Sequence, residues 1–567
     1  MQFFKNKNLI NILILIVIAI VICLPMLSKH LYVYYDDGIQ HIARSYGTFN
    51  AIKNDSFLGN VIPVFSNNFG YSWNLFYGSV TTFGIMLFKI ITGSYISGYK
   101  FFNFVCLILS GITMYFFVKK VSDNYNIALL SGVLYMIAPY HLTDLYVRNA
   151  TGEFVSFVFI PIVFSGLYSI FKGKKGDWLL SIGSVGLLFT HNITCLYTAI
   201  FAFIYILINF KELKSKDVLK KIGINIIIIL MISSCYLIPM LETKMSAKYR
   251  VYEDGVMYNL DEITNQRLSI KRLFVTRAED GFVFELGPYM IIMLAFSVLT
   301  IRSIKKEYKK DYLFFLICGL LTMFMATKLF PWGIVPKFLR VIQFPWRLLE
   351  FTSFFFAIIA AINMGAVIKN FSLKDSLIII LIATIYIIAL KGFVLYSTEK
   401  LNPIENIELG KITGMENECI PGMGKGEYLP KKAYDNRFYI ATREDRIYAT
   451  KGKAVIEKEE KNGTKLTARI KTFEEETELE LPYIYYPGYE ITLDGMHVTY
   501  FETENGMIGI KLSPKENTVI EVKYSGRGAV SSPIMITLVG VAVLVLYAVF
   551  VKNEEKDTDE EVVQNNK

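Results

Sequence analysis

Cysteine is scarce in this sequence, and what there is makes no pattern. Six cysteines are spread over 567 residues. Cys23, Cys106, Cys195, Cys235 and Cys318 lie in or beside apolar runs, and Cys419 stands alone in a polar region. With no Cys-x-x-Cys pair and no metal-ligand spacing, neither a disulfide framework nor a thiolate metal centre is implied. Internal repeats are also missing, which excludes solenoids and propellers. The first apolar stretch ends in "CLPMLSKH" without a small-x-small cleavage site, so it reads as a retained span and not as a removed signal peptide.

Long stretches lack charge altogether. "NLINILILIVIAIVICLPML" carries none, the chain is 53% hydrophobic and its mean hydropathy is +0.40. Apolar runs, several of them near the roughly 20 residues that cross a bilayer, recur at about 9–27, 100–118, 126–140, 154–171, 178–190, 194–210, 221–240, 287–302, 312–330, 350–368, 375–395 and 532–551. This predicts a polytopic α-helical membrane protein of about 12 spans. The formal charge of +9 does not point to nucleic acid, because the lysines cluster in short loops between apolar runs, where they set orientation.

Those lysines also fix the expected topology. If the shorter run 78–93, which contains Lys89, lies flat as a juxtamembrane helix, then Lys119–Lys120, Lys172–Lys175, Lys211–Lys216, 302–311, 369–375 and the C-terminal tail all fall on the side of the N-terminus. Both ends are then cytoplasmic. The outer side receives 28–99, 141–153, a turn at 190–193, 241–286, 331–349 and 396–530. The expected organisation is a membrane module over 1–395, an extracytoplasmic β-rich, sandwich-like domain over 396–530, a final span over 531–551 and a charged cytoplasmic tail over 552–567. The β assignment rests on alternation in "TKLTARIKTF" and "TVIEVKY" and on turns at "LDG" and "ENG".

Polar clusters sit at the mouths of the spans. In "YYDDGIQHIAR", Asp36 and Asp37 precede a predicted helix on which His41 and Arg44 follow at one-turn spacing. Either carboxylate can serve as an N-cap, as solvated surface, as a general base or as a cation ligand. In "YVRNATGEF", Arg148 either pairs with Glu153 or binds a phosphate through its planar fork. His191, in "LLFTHNIT", either caps a turn or serves a site near membrane depth. Asn192-Ile193-Thr194 fits a glycosylation sequon but lies too close to the membrane to serve as one. Arg347, in "RVIQFPWRLLEF", either snorkels to headgroups or adds positive charge to an outer cavity.

Taken in order, these stretches resemble the GT-C superfamily of membrane glycosyltransferases. Within it they are most similar to bacterial YfhO-like proteins and to membrane proteins labelled 6-pyruvoyl-tetrahydropterin synthase-related, although nothing in the chain is like a soluble pterin enzyme. The resemblance is carried by "YDDGIQHIARSYGTFNAIKNDSF", "NNFGYSWNLFYGSVTTFGIMLFKIITG", "LYVRNATGEFVSFVFIPIVF", "IQFPWRLLEF", "GEYLP" and "YYPGYEITLDG". It implies transfer of a sugar from a polyprenyl-phosphate donor to a cell-envelope glycopolymer or glycolipid on the outer face of the bacterial plasma membrane. Asp37, before the glycine, matches the catalytic aspartate best, with Asp36 as the near alternative. His41, Arg44, Arg148, Glu153, His191 and Arg347 would serve the donor phosphate or substrate. Some members of the superfamily use a divalent cation (Mg or Mn) and others none; Asp36 and Asp37 would be its ligands here.

Two rival functions fit the same composition. A transporter or flippase of a lipid-linked intermediate should carry polar residues and broken helices at mid-bilayer, whereas polar residues here gather outside the spans. A non-catalytic membrane protein that binds envelope polymer would tolerate replacement of Asp37.

Overall fold

The computed structural model describes residues 6–27, 37–53, 59–253, 255–256, 259–274, 286–399, 426–526 and 531–565. Among the described residues, the helical module contains α1 (Lys7–Cys23), α2 (Gly38–Lys53), α3 (Trp73–Phe76), α4 (Val80–Thr92), α5 (Tyr95–Ser122), α6 (Tyr125–Met136), α7 (Pro139–Tyr146), α8 (Thr151–Lys172), α9 (Leu179–Leu188), α10 (Asn192–Ile208), α11 (Lys216–Ser246), α12 (Leu260–Asn265), α13 (Ile270–Phe274), α14 (Pro288–Ala295), α15 (Ser297–Thr300), α16 (Lys306–Met325), α17 (Leu349–Val367) and α18 (Leu373–Glu399).

Each of the twelve apolar runs falls on helix. Among the described residues, six helices are long and apolar enough to cross a membrane: Lys7–Leu27, Tyr95–Ser122, Thr151–Lys172, Lys216–Ser246, Pro345–Val367 and Ser532–Val549. Val80–Thr92, Tyr125–Met136, Leu179–Leu188, Asn192–Ile208 and Pro288–Thr300 are apolar but shorter. Local chemistry sets the boundaries. The Asn6 side chain accepts from the N–H groups of Asn8 and Leu9 to open α1, and Asn124 does the same for Asn126 and Ile127 at α6. The run 126–140 does not continue as one helix. Ala138, held extended at ψ 132° before Pro139, breaks it, and α7 starts afresh with proline in its first turn.

The centre of the helical module is an aromatic layer between α5, α8, α16 and α17. Phe354 stacks on Phe117 (5.9 Å) and on Phe164 (5.1 Å), and Phe315 meets Phe117 edge-on. Leu349 to Met364 of α17 are buried without exception. Peripheral helices instead turn apolar side chains outward, among them Leu13 and Val17 of α1 and Phe83, Leu87, Ile90 and Ile91 of α4.

After the short helices α19 (Lys431–Asp435) and α20 (Arg437–Thr442) come nine antiparallel strands: β1 (Tyr448–Lys451), β2 (Ala454–Asn462), β3 (Lys465–Thr472), β4 (Thr477–Ile484), β5 (Tyr489–Leu493), β6 (Met496–His497), β7 (Phe501–Glu502), β8 (Met507–Leu512) and β9 (Lys515–Tyr524). They form two sheets, ordered β1-β4-β8-β7 and β2-β3-β9-β5-β6. Ile470 and Val522 from one sheet share a core with Leu481 and Ile510 from the other, which makes a sandwich. The "LDG" turn is the two-residue Asp494-Gly495 connection of β5 to β6, with both φ angles positive (50° and 82°).

The sandwich core does not stop at its own strands. Val61, Ile62, Phe65, Phe69, Tyr71, Trp73 and Phe76, all from the segment before α4, are buried in the same cluster. Ile484 N–H donates to the Phe69 carbonyl (2.9 Å), Tyr428 N–H to the Tyr71 hydroxyl (3.1 Å), and Tyr428 stacks on Phe76 (5.1 Å between centroids). The last helix, α21 (Ser531–Asn565), packs on α11, where Ser234 Oγ donates to the Pro533 carbonyl (2.8 Å).

Candidate active site

The site is assembled where α2, the segment 73–79, the α7–α8 connection, the α9–α10 turn and the start of α17 meet. Asp37 immediately precedes α2; its carbonyl accepts from His41 N–H (3.0 Å), as in a first helical turn, and its N–H donates to the Arg148 carbonyl (3.3 Å). This backbone tie brings the Asp37 and Arg148 stretches together. The approach is close: a Cβ on Gly38 would stand 2.9 Å from the Asn149 Cβ.

Arg148 is buried with two acids. Its Nη1 donates to Asp144 Oδ1 (2.5 Å) and Glu153 Oε2 (2.9 Å), and to the Tyr140 hydroxyl (3.2 Å). Its guanidinium also lies 4.4 Å from the centre of the Trp346 ring. Asp144 and Arg148 are one turn apart on the α7 register, an i, i+4 pair. Glu153, in the first turn of α8, also accepts from the Tyr140 hydroxyl and pairs with Arg347 Nε (3.3 Å). Arg347 Nη1 is held by Gln343 Oε1 (2.6 Å) and the Ile342 carbonyl (3.3 Å). One carboxylate, Glu153, therefore joins two guanidiniums.

Tyr77 lies between the two histidines, with ring centroids 6.2 Å from His41 and 6.3 Å from His191. Two glycines allow this. A Cβ on Gly78 would fall 2.2 Å from the Phe189 backbone, and one on Gly152 would fall 2.2 Å from the Tyr77 hydroxyl. Arg44 is fully buried beside them. Nε donates to Asn74 Oδ1 (2.7 Å) and Nη2 to the Tyr77 carbonyl (2.7 Å), while Nη1 has no hydrogen-bond partner among the described residues. His191 caps α10, its Nδ1 accepting from Thr194 N–H (3.4 Å).

Burial governs the charges. It pulls His41 down to about 3, with Arg44 and His191 reinforcing it. It pulls His191 to about 3 as well, Glu153 opposing and Arg347 and Arg148 reinforcing. Both imidazoles are therefore neutral at neutral pH. Burial lowers Arg44 to about 10 against the opposing fields of Tyr77, Tyr428 and Tyr236, and it pushes the Asp144 carboxyl well up, helped by Glu153 and opposed by Arg148.

The structure thus gathers Asp37, His41, Arg44, Arg148, Glu153, His191 and Arg347 in one region; Asp36 lies outside the described residues. Arg148 and Glu153 do pair, within a larger network. Sequence reasoning missed Asp144, Tyr77, Tyr140, Trp346 and Glu350. The i, i+4 spacing of Asp144 and Arg148 was a usable signal; Tyr77 had none. No group of three or more His, Cys, Asp or Glu side chains able to hold a metal ion occurs among the described residues.

Comparisons with known proteins add a family. An uncharacterized protein of Lactococcus lactis subsp. cremoris (strain MG1363) is 25% identical over 350 residues, and the chain spans about half the length of that relative (58% of this chain, 55% of the relative). Among solved structures, the mycobacterial arabinofuranosyltransferase AftD is similar at a TM-score of 0.43 and 12% identity, over 68% of this chain and 27% of that one. The family model for the 6-pyruvoyl-tetrahydropterin synthase related domain, a membrane protein, matches residues 75–397. That is more than half of the 567 residues, so the chain belongs to the 6-pyruvoyl-tetrahydropterin synthase related family of membrane proteins.

Proposed function

We propose that this protein is a membrane glycosyltransferase that moves a sugar from a polyprenyl-phosphate donor to a cell-envelope acceptor on the outer face of the bacterial cytoplasmic membrane. The reading includes the twelve-span topology with both termini in the cytoplasm. The observation that carries it is the hydrogen bond from Asp37 N–H to the Arg148 carbonyl, which sets an acid beside the Arg148–Glu153–Arg347 cluster. Chemistry of this kind needs one base and several fixed cations.

In the proposed step the Asp37 carboxylate takes the proton of an acceptor hydroxyl. The hydroxyl oxygen forms its bond to the anomeric carbon while the bond from that carbon to the phosphate oxygen breaks. The leaving lipid phosphate keeps the electron pair and needs no proton, because Arg148 and Arg347 meet its charge. Asp36 could take the role of Asp37, and His41, Arg44 and His191 line the same region. Mass spectrometry of envelope glycopolymers from cells with and without the gene tests this reading. Loss of one sugar mass supports it, and identical polymers reject it.

A further inference from the structure

Glu350 belongs to none of the roles above. It lies in the first turn of α17, 2% exposed. Its Oε2 is 2.8 Å from Thr194 Oγ1, and Thr194 Oγ1 is 2.8 Å from His191 Nδ1. The three side chains form a line from α17 to the α9–α10 turn.

The line holds only certain hydrogens. Thr194 N–H already points at His191 Nδ1, so Nδ1 carries a lone pair. The Thr194 hydroxyl hydrogen can then go to Nδ1. Thr194 Oγ1 is left to accept from Glu350, which therefore bears the proton. Were Glu350 ionised, Thr194 would donate to it, and Nδ1–H would have to face both Thr194 Oγ1 and the Thr194 N–H, two donors head to head. The surrounding charges agree. Among the described residues no guanidinium bonds Glu350: Arg148 is engaged by Asp144 and Glu153, and Arg347 by Glu153, Gln343 and the Ile342 carbonyl. Its Oε1 has no hydrogen-bond partner among the described residues. The charged groups acting on His191 are Glu153, Arg347 and Arg148, and His41 lies beside it.

We propose that Glu350 is a positioning residue that acts through Thr194 to hold His191 as the Nε2–H tautomer, a fixed neutral donor for a phosphate oxygen. The phosphate part rests on the function proposed above; the tautomer does not.

The test is nitrogen-15 NMR of the full chain in lipid bilayers with labelled histidine, the His191 signal being the one lost in His191→Gln. The parent should show Nδ1 unprotonated and Nε2 protonated at neutral pH. Glu350→Gln and Thr194→Ser, which keep a donor and a hydroxyl, should preserve that pattern. Glu350→Leu and Thr194→Val should give a mixture of tautomers. Farnesyl phosphate should bind Glu350→Leu about tenfold more weakly than the parent, as expected for losing an oriented hydrogen bond to an anion. An Nδ1–H signal in the parent, or a tautomer unchanged by both Glu350→Leu and Thr194→Val, overturns the proposal. Failure of farnesyl phosphate to bind the parent overturns the phosphate reading instead, and the tautomer pattern alone then decides this one.

Discussion

Two buried acid–arginine groups in this molecule are built differently. In the sandwich, Glu480 of β4 is completely satisfied. Its Oε1 accepts from Arg443 Nη1 (2.6 Å) and the Tyr439 hydroxyl (2.8 Å), and its Oε2 from Thr503 Oγ1 (2.7 Å) and Asn505 Nδ2 (3.0 Å). Arg443 in turn donates to the Arg446 carbonyl (2.7 Å) and lies 5.2 Å from the Phe69 ring centre. Four donors on one carboxylate make a lock that joins α20, β4 and the segment before α4. The cluster at Arg148 is more crowded in charge and less complete. Asp144 Oδ2, Glu350 Oε1, Arg44 Nη1 and His41 Nδ1 all lack hydrogen-bond partners among the described residues, against one such atom, Arg443 Nε, in the sandwich group. Unmet polar capacity inside a protein is costly, and a region that carries several such atoms together is suited to bind something polar. The sandwich group serves structure, and under the proposed function a ligand completes the bonding of the Arg148 group.

That contrast can be broken most directly in the sandwich. Glu480→Leu should leave Arg443 buried and uncompensated and should destabilise the fold by about 3–5 kcal/mol, read as a lowered thermal midpoint in detergent. A midpoint unchanged from the parent would show that the lock is not structural. Arg347→Lys, in the other group, should leave the midpoint near that of the parent while weakening donor use. Lysine cannot reproduce the planar fork of a guanidinium, so the apparent donor affinity should fall about tenfold in nanodisc titrations. Identical titration curves would mean that Arg347 only anchors α17.

The histidines give a smaller effect with a fixed sign. His41 and His191 are held near 3 by burial, below the ordinary value of 6.5 that they regain on unfolding. The unfolded chain therefore binds more protons between about 6.5 and about 3, and their contribution to stability is lost progressively as pH falls through that window. The thermal midpoint should drop between pH 7 and pH 5, and less so in His41→Gln. An equal drop in that variant would place the cause elsewhere.

How much of this could be read beforehand depended on whether the signal was local. Apolar runs marked the helices because each buries its own backbone hydrogen bonds. Alternation in "TKLTARIKTF" marked β3, where burial alternates along the strand. The helix after Asp37 was legible because "GIQHIAR" offers no breaker beyond its first glycine. Tertiary choices were not legible. Nothing local says that Phe65, Phe69 and Tyr71 complete the core of a sandwich more than 350 residues away, since any soluble-side aromatic run would look the same. Glu350 sat in a quoted motif, "RVIQFPWRLLEF", yet drew no reading of its own; only the fold sets Thr194 against it. Asp144 was hidden because the run through Pro139 looked like the end of a span and not the start of α7.

The central claim is that Asp37 performs sugar transfer, and one measurement addresses it directly. Cells lacking the gene are complemented with the parent or with Asp37→Asn, which keeps size and hydrogen bonding but removes basicity, and their envelope glycopolymers are compared by mass spectrometry at matched protein abundance. Loss of a general base costs a factor on the order of a hundred or more in rate, so the Asp37→Asn cells should lack the same sugar mass as the deletion. Polymers identical to those of the parent, from normally abundant Asp37→Asn protein, would contradict the account.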